Sequence, residues 1–531
     1  MQLRKYVPHG VVFVTSMGVM IVELIASRIV AKHFGNSLYT WTGIIGVVLG
    51  GISLGNYLGG RLADRFEPRR MIVFQLLLTS VLIMLILPLD ALLYLITMEG
   101  QATIITSQMI AKSIFWIVLL FLLPSAAIGT VSPVMAKYAL EESTKVGNTV
   151  GGIYAVSSIG SIIGTFLAGY LLIPLLGVRI IVFLVAGLIA LLGLLMSTGL
   201  RYRIAAAAWI AVVVALGLLF PDSASARAYY EAGGGKLLFA ADSQYMNIEV
   251  RDVPKPGGME RQLIMDGLIH NRYDLSNPDV LRYEYERIFE SLTRYYTASV
   301  VRSGAITTLT IGGGAMIFPD FLARHYPKSR TDVVEIDPEV VRVAKKWFTP
   351  AGAATIGSGG SAGVGLLSVF NTDGRNYVNY ARSGPTRYDI VYLDAFNSFS
   401  IPAHLTTREF AMDLLSMLRP EGYVVANCID VYSLGKFIAA YVRTLQSVFR
   451  SVTVYADTVG RLDQRMTFVV VGGNAPLGPA TLADQDGAIV GRRLSDEEVA
   501  NLLERNPRLV LTDDHAPVEN LMAPVFLHSV H

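Results

Sequence analysis

At 531 residues the chain has room for about three average domains. Apolar residues make up 52% and charged residues 16%, a balance that excludes an ordinary all-soluble composition and points to membrane-spanning segments. The net charge of +2 offers no electrostatic case for nucleic acid, and the single cysteine, Cys428, excludes an internal disulfide framework and a Cys-rich metal site.

Residues 1–221 read as a membrane domain. Seven apolar runs fall at about 10–31, 40–62, 71–95, 114–134, 150–176, 180–196 and 204–220, each near the ~20 residues that cross a bilayer. The first carries Glu23 and Arg28 and lacks a small-residue cleavage pattern, so it is not a signal peptide. Charge at that depth faces a partner or a cavity: either a polar site in the bundle or an ion pair that fixes packing. The second run, GVVLGGISLGNYLGGRLADRFEPRR, places Gly46, Gly50, Gly51, Gly55 and Gly59 at small-xxx-small spacing, and Gly160 and Gly164 repeat it in the fifth. Its end, GGRLADRFEPRR, resembles the loop after the second helix of major-facilitator transporters. The stretch PSAAIGTVSP between Pro124 and Pro133 reads as a broken helix or a kink.

Basic residues cluster on one side: Arg4 and Lys5, Arg61 to Arg70, Lys137 and Lys145, Arg201 and Arg203. Positive-inside logic puts the N-terminus in the cytoplasm. Seven crossings would then carry the C-terminal half outside the cell. The last run, short and Ala-rich, could instead lie in the interface.

A polar junction around residues 223–236 leads into a β-rich entry, SQYMNIEVRDV then RQLIMDGLIHNRYD, expected to form a small hairpin region within residues 222–300. The central stretch of the third domain, 301–531, is TLTIGGGAMIFPDFLARHYPKSRTDVVEIDPEVVRVAKKWF from Thr308 to Phe348. A short apolar β run ends in Gly312-Gly313-Gly314, an amphipathic segment follows to His325, and a second strand, 332–336, ends in the acids Glu335 and Asp337. Strand, glycine turn, helix, strand and acid make the first half of a nucleotide-binding α/β sheet. Glycine lets the backbone approach a ligand where a Cβ would clash, and the acid about 20 residues on can accept from ribose hydroxyls.

GGG together with VEIDPEVVRVAKKWF resembles the spermidine synthases, the polyamine aminopropyltransferases, and most of all their membrane-fused bacterial branch. That resemblance implies a Rossmann-like, methyltransferase-type seven-stranded sheet with a small N-terminal β subdomain, following a multi-pass helical domain in a bacterial inner membrane. It implies a lipid bilayer and a small amine as partners, decarboxylated S-adenosylmethionine or S-adenosylmethionine as substrate, no metal and no nucleic acid. Assembly into a homo-oligomer stays open.

The family's aspartate-glycine, followed by a glutamine two residues on, reads Asp266-Gly267-Leu268-Ile269-His270, so His270 replaces the glutamine. Its tyrosine-histidine-glutamate aligns with Glu284-Tyr285-Glu286, which puts Tyr285 where a histidine would help hold the cofactor. Residues 349–365 are Gly/Ala/Ser-rich and read as a lid or an insertion. The strand 366–371 ends in Asp373-Gly374-Arg375, where the family places the acid that receives the adenine amino group; Asp373 could also cap the following helix. The strand 388–394 ends in Asp394, matching the first acid of the family's catalytic loop. The second, which acts as base on the attacking amine, is Asn397, and an amide accepts no proton at neutral pH. A helix over 405–418 ended by Pro420-Glu421-Gly422, a helix over 433–448 and strands at 423–428, 451–456 and 466–471 complete the seven-strand pattern. Residues 511–519, LTDDHAPVE, resemble a C-terminal motif of the fused branch.

The resemblance also breaks. Gly314 continues as Ala315-Met316-Ile317, where the family has an aspartate that pairs with the aminopropyl ammonium. The expectation is an aminopropyltransferase-like enzyme acting on an unusual amine or a membrane-derived acceptor. The alternatives are a methyltransferase using the full S-adenosyl cofactor and a non-catalytic transporter-like or sensor protein that binds a nucleoside or polyamine.

Overall fold

The computed structural model describes residues 6–35, 37–99, 109–141, 145–197, 199–219, 231, 233–301, 305–348, 366–395, 401–458, 465–504 and 508–527. Two compact units result. One holds the N-terminal helices together with Phe239–Ile248, the other Gly234–Leu238 and Glu249–His531.

In the first unit the apolar runs become α1 (Val7–Phe34), α2 (Leu38–Arg65), α3 (Pro68–Glu99), α4 (Ala111–Glu141), α5 (Val146–Leu167), α6 (Ile173–Met196) and α7 (Leu200–Leu219). Among the described residues six helical stretches are long and apolar enough to cross a membrane. The fifth and sixth runs join in one of them, Val146–Met196, which is 51 residues long. At roughly 1.5 Å per residue it far exceeds an about 30 Å hydrocarbon core, and Gly177, at φ 68 and ψ 156, divides it. In the stretch between Pro124 and Pro133 the helix is interrupted only at Thr130, a turn residue that keeps helical φ/ψ between Leu123–Gly129 and Val131–Glu141. A π-helical turn at Val118–Leu122 absorbs the irregularity before it, and the chain stays helical.

The small-residue spacing sets how closely these helices meet. A Cβ on Gly55 would lie 2.1 Å from the Ala126 carbonyl oxygen, and on Gly160 or Gly164 2.4 Å from the carbonyl oxygens of Phe13 or Met17. These glycines bring α2 onto α4 and α5 onto α1 at backbone contact. Gly46 and Gly50 have no such neighbour among the described residues. Lys32 and His33 of α1 lie 2.5 and 2.8 Å from the carboxylate oxygens of Asp90 on α3.

The second unit contains most of a four-stranded sheet and all of a nine-stranded sheet. The first is β1 (Lys236–Asp242), β2 (Asn247–Lys255), β3 (Gly258–Met265) and β4 (Leu268–Asp274), in that order. Asp266 and Gly267, at φ 45 and 75, form the two-residue turn between β3 and β4. Helix α8 (Glu284–Tyr296) follows. The large sheet is built from β5 (Thr307–Ile311), α9 (Ile317–His325), β6 (Arg330–Glu335), α10 (Pro338–Val343), β7 (Leu366–Asn371), α11 (Gly374–Ala381), β8 (Tyr388–Leu393), α12 (Arg408–Met417) and β9 (Leu418–Val431). Then come α13 (Lys436–Gln446), β10 (Ser451–Asp457), β11 (Arg465–Gly473), β12 (Thr481–Ala483), β13 (Ile489–Arg493), α14 (Asp496–Glu504) and α15 (Val518–Leu527).

Strand order is β12-β13-β10-β11-β9-β8-β5-β6-β7. The expected seven strands form one continuous block, and the short pair β12 and β13 extends its β10 edge, so the sheet has nine. A second correction concerns Pro420-Glu421-Gly422. The helix stops at Met417, and these residues lie inside β9, where the pairing with β8 shifts register. Proline has no N–H for the ladder, and the irregularity absorbs it. Strands β7, β6, β5, β8 and β9 are parallel neighbours. Buried residues of β5 and β8 such as Leu309, Ile311 and Leu393 pack with α12 and α13, which contribute Phe410, Leu414 and Phe437.

The close contacts in the first unit give a direct test. Gly55→Ala is expected to destabilise the detergent-solubilised protein by about 1–3 kcal/mol, read as a lower thermal midpoint, while Gly46→Ala leaves the midpoint essentially unchanged.

Candidate functional site

Chain order along the large sheet reverses beside β5: β5 to β7 run to one side, and the chain then returns to place β8 on the other. In open α/β sheets the carboxyl ends of strands flanking that point form the ligand crevice. Here those ends carry Gly312 to Gly314 after β5, Glu335 on β6, Asp373 after β7 and Asp394 after β8.

The glycine turn leaves β5 through a left-handed backbone. Gly312 has φ 91, and a Cβ there would lie 2.4 Å from the Asp394 carbonyl oxygen. The ends of β5 and β8 therefore touch only because residue 312 has no side chain. Gly314, at φ 47, leaves room for Asn271, whose Oδ1 would lie 2.5 Å from a Cβ.

Glu335 closes this turn. Its Oε2 accepts from the Gly313 and Gly314 N–H groups at 2.9 and 3.2 Å, and its Oε1 accepts from Asp337 N–H at 3.0 Å. Burial raises the Glu335 carboxyl above its usual range, and these three amides oppose the shift. Two carboxylate oxygens offer about four lone-pair directions, so three amides leave one, on Oε1. Asp337 is different. It is fully buried, and its Oδ1 accepts from Glu339 N–H at 2.8 Å as the N-cap of α10. Its carboxylate builds the helix start and offers no exposed atom to a ligand.

Asn271 on β4 braces the turn from the small sheet, accepting from Ala315 N–H at 2.9 Å. Beside it on β4, His270 has a buried Nε2 with no hydrogen-bond partner among the described residues. Burial pulls its pKa down to about 4, so the ring is neutral.

At the end of β8, Asp394 Oδ1 accepts from Asn427 Nδ2 at 3.0 Å, and the Tyr285 hydroxyl donates to the same carboxylate. Tyr285 is held by its ring, edge-on to Phe289 at 5.5 Å within a cluster that includes Phe318 and Tyr392. Burial pushes the Asp394 carboxyl up to about 7, with Asn427 and Tyr285 opposing and Glu335 adding to the rise. Glu286, the next residue after Tyr285, is buried, and its Oε2 accepts from Tyr283 N–H at 3.3 Å at the start of α8. Burial first, and then the charge of Asp394, push Glu286 to about 8. Asn427 presents its amide N–H to Asp394 and keeps a buried Oδ1 without a partner among the described residues.

Asp373 caps α11 through Oδ1, which accepts from Asn376 N–H at 3.0 Å, while Oδ2 lies 3.0 Å from His404 Nε2. Gly374 lets the turn press against β5, since a Cβ there would lie 2.6 Å from Ile311 Cγ2. Asn397 and residues 349–365 lie outside the described residues.

The sequence motifs thus place Gly312, Gly313, Gly314, Glu335, Asp373, Gly374 and Asp394 along the carboxyl ends of the parallel strands. Asn271, Asn427 and His404 carry no motif signal, and Glu286 enters the sequence reading only as the last residue of Glu284-Tyr285-Glu286. A Glu in the first turn of a helix is a capping signal, and nothing in its spacing reveals that the turn faces Asp394. Asn427 sits inside an apolar strand, where a buried amide is itself a sign of an unmet hydrogen-bonding need.

Comparison with known proteins adds two family matches. Residues 10–212 match the Major Facilitator Superfamily, and residues 300–479 match the Spermine/spermidine synthase domain. A polyamine aminopropyltransferase of Vibrio vulnificus is 36% identical over 146 residues, 27% of this chain and 43% of that protein. One from Corynebacterium efficiens is 25% identical over 344 residues, 62% of each. The chain therefore spans less than two thirds of the length of either relative. Among solved structures, a probable spermidine synthase from Corynebacterium glutamicum aligns with a TM-score of 0.44 and 20% identity, over 53% of this chain and 98% of that one.

The raised carboxyl of Asp394 has a consequence for stability. An acid whose folded pKa lies above its unfolded value stabilises the fold in full below the unfolded pKa, and that contribution is lost as pH rises through the folded one. Stability of the wild-type protein should therefore fall between pH 4 and about 7 on account of Asp394, by at most about 4 kcal/mol. Asp394→Asn is expected to flatten that slope in denaturant titrations at stepped pH.

Proposed function

We propose, from the premise that residues 300–479 carry a spermine/spermidine synthase domain behind a membrane-spanning helical domain, that the protein alkylates an amine with an S-adenosyl nucleoside, aminopropyl transfer from decarboxylated S-adenosylmethionine being the favoured reaction. One observation carries this reading. A proton-accepting carboxyl, Asp394, stands at the switch point in contact with a glycine turn that Glu335 holds rigid.

In this reading the remaining lone pair of Glu335 Oε1 accepts a ribose hydroxyl, and Asp373 accepts the adenine amino group. The backbone of Gly312 to Gly314 lets the nucleoside approach. The amine meets an acceptor-rich wall of Asp394, Glu286 and the unpartnered Asn427 Oδ1. Such a wall favours a group that donates several hydrogen bonds, as an alkylammonium does. The ammonium gives one proton to Asp394, and the free amine nitrogen attacks the carbon bound to sulfur. The carbon–sulfur bond breaks with its electron pair moving to sulfur, which releases neutral methylthioadenosine and a secondary ammonium. A base near pKa 7 suits this task at neutral pH. Tyr285 and Asn427 aim the carboxylate, and Glu286 supplies the second acid that the loop lacks at Asn397.

A second reading, methyl transfer from full S-adenosylmethionine, is favoured by Ala315 and Met316. Both are buried and apolar where an acid would repel the carboxylate of that cofactor.

Purified full-length protein in detergent, given putrescine and decarboxylated S-adenosylmethionine, is expected to release methylthioadenosine. Adenosylhomocysteine formed from the full cofactor instead would select the second reading. kcat/KM should rise with pH through about 7, following Asp394, and Asp394→Asn should lower kcat by about 10²–10⁴-fold. Glu335→Ala is expected to abolish nucleoside binding in calorimetry; unchanged affinity would remove the ribose contact from the scheme. Asn397→Asp should raise aminopropyl transfer.

A further inference from the structure

The motif at residues 511–519 has no part in the chemistry above, yet it is wired to the nucleoside end of the site. Arg375, two residues after Asp373, makes a fork with Asp513: Nη1 to Oδ1 at 2.6 Å and Nη2 to Oδ2 at 2.5 Å. The same Nη1 reaches the His404 carbonyl oxygen at 3.0 Å and Thr407 Oγ1 at 3.3 Å. The His404 ring in turn lies 3.0 Å from Asp373 Oδ2. Asp513 is itself pinned, since its N–H donates to Glu409 Oε2 at 3.0 Å and the Thr512–His515 turn closes on itself through paired main-chain bonds.

We propose that Asp513 is a positioning residue for adenine recognition: through the Arg375 fork and His404 it sets the direction of the Asp373 carboxylate. This rests on the nucleoside-binding reading above and deepens it by naming what fixes base selectivity.

Two features favour positioning over simple cohesion. The Asp513 side chain is 44% exposed, and ion pairs that exposed add little stability. A planar bidentate fork, by contrast, fixes orientation as well as distance. Arg375 also ties together three separate stretches: the turn after β7, the segment that leads into α12, and the C-terminal motif. Both ends of the Asp373 carboxylate are then fixed, one by the α11 cap and the other by a histidine whose main chain Arg375 holds. An adenine amino group donates to such a carboxylate, whereas a 6-oxo base turns an acceptor toward it.

The test is calorimetry on full-length protein in detergent with methylthioadenosine and with its 6-oxo counterpart, methylthioinosine. Wild type is expected to prefer the amino form by about tenfold or more, the scale of one hydrogen bond to a charged group. Asp513→Asn should reduce that preference to about twofold or less, with affinity for methylthioinosine unchanged and the thermal midpoint retained. Arg375→Lys, which keeps the charge and loses the fork, should do the same and decides the matter if Asp513→Asn fails to fold. Equal loss of both ligands, a preserved preference in the variants, or no preference in wild type would each overturn the assignment. Binding of neither ligand to wild type would instead defeat the nucleoside reading, and the assignment with it.

Discussion

The site depends on one carboxylate used as a structural clamp. Glu335 receives two amides of the glycine turn and one from the start of the next helix, and so joins the tip of β6 to the bend after β5. Buried N–H groups left without acceptors would each cost about 1–3 kcal/mol, and a left-handed turn cannot supply them from its own backbone. A buried acid that satisfies three of them offsets much of its own desolvation. With the bend held, Gly312 can rest against the main chain of Asp394, and the carboxyl ends of β5 and β8 acquire a fixed spacing.

Burial then does to the other groups what it does to Glu335, in degrees that suit their surroundings. Asp394 and Glu286 are pushed toward neutrality, and His270 is kept uncharged. The result is a region rich in acceptors and poor in fixed positive charge, whose own acids can exchange protons near pH 7. Perturbed groups of this kind cluster where chemistry occurs, although ion-pair networks perturb them too. Asp337 and Asp430 are also buried acids, but backbone amides at helix starts occupy them. Asp394 is held by side chains, Tyr285 and Asn427, which orient it without capping anything.

Glycine does opposite work in the two units. Between α2 and α4, and between α1 and α5, it removes bulk so that helices touch along their backbones. At Gly312 and Gly314 it permits a bend that L-residues resist, and the space freed is taken by Asp394 and Asn271.

Much of this was legible in one dimension. Apolar runs about 20 residues long require helices in a bilayer, because lipid accepts no free backbone polar groups. A β run, a glycine turn, an amphipathic segment and a second strand at close sequence spacing point to a parallel βαβ crossover, because handedness and chain length leave few other ways to pack them. Those are local constraints, and sequence order carries them. Sequence alone did not show that Asp337 turns inward to cap α10, that β12 and β13 lengthen the sheet, or that Glu286 and Asn427 meet Asp394. Nor did it show that Asp513 reaches Arg375 across 138 residues. Each of these is a contact between segments distant in the chain. Packing and the need to satisfy buried polar groups decide such contacts, and no periodicity along the sequence encodes them.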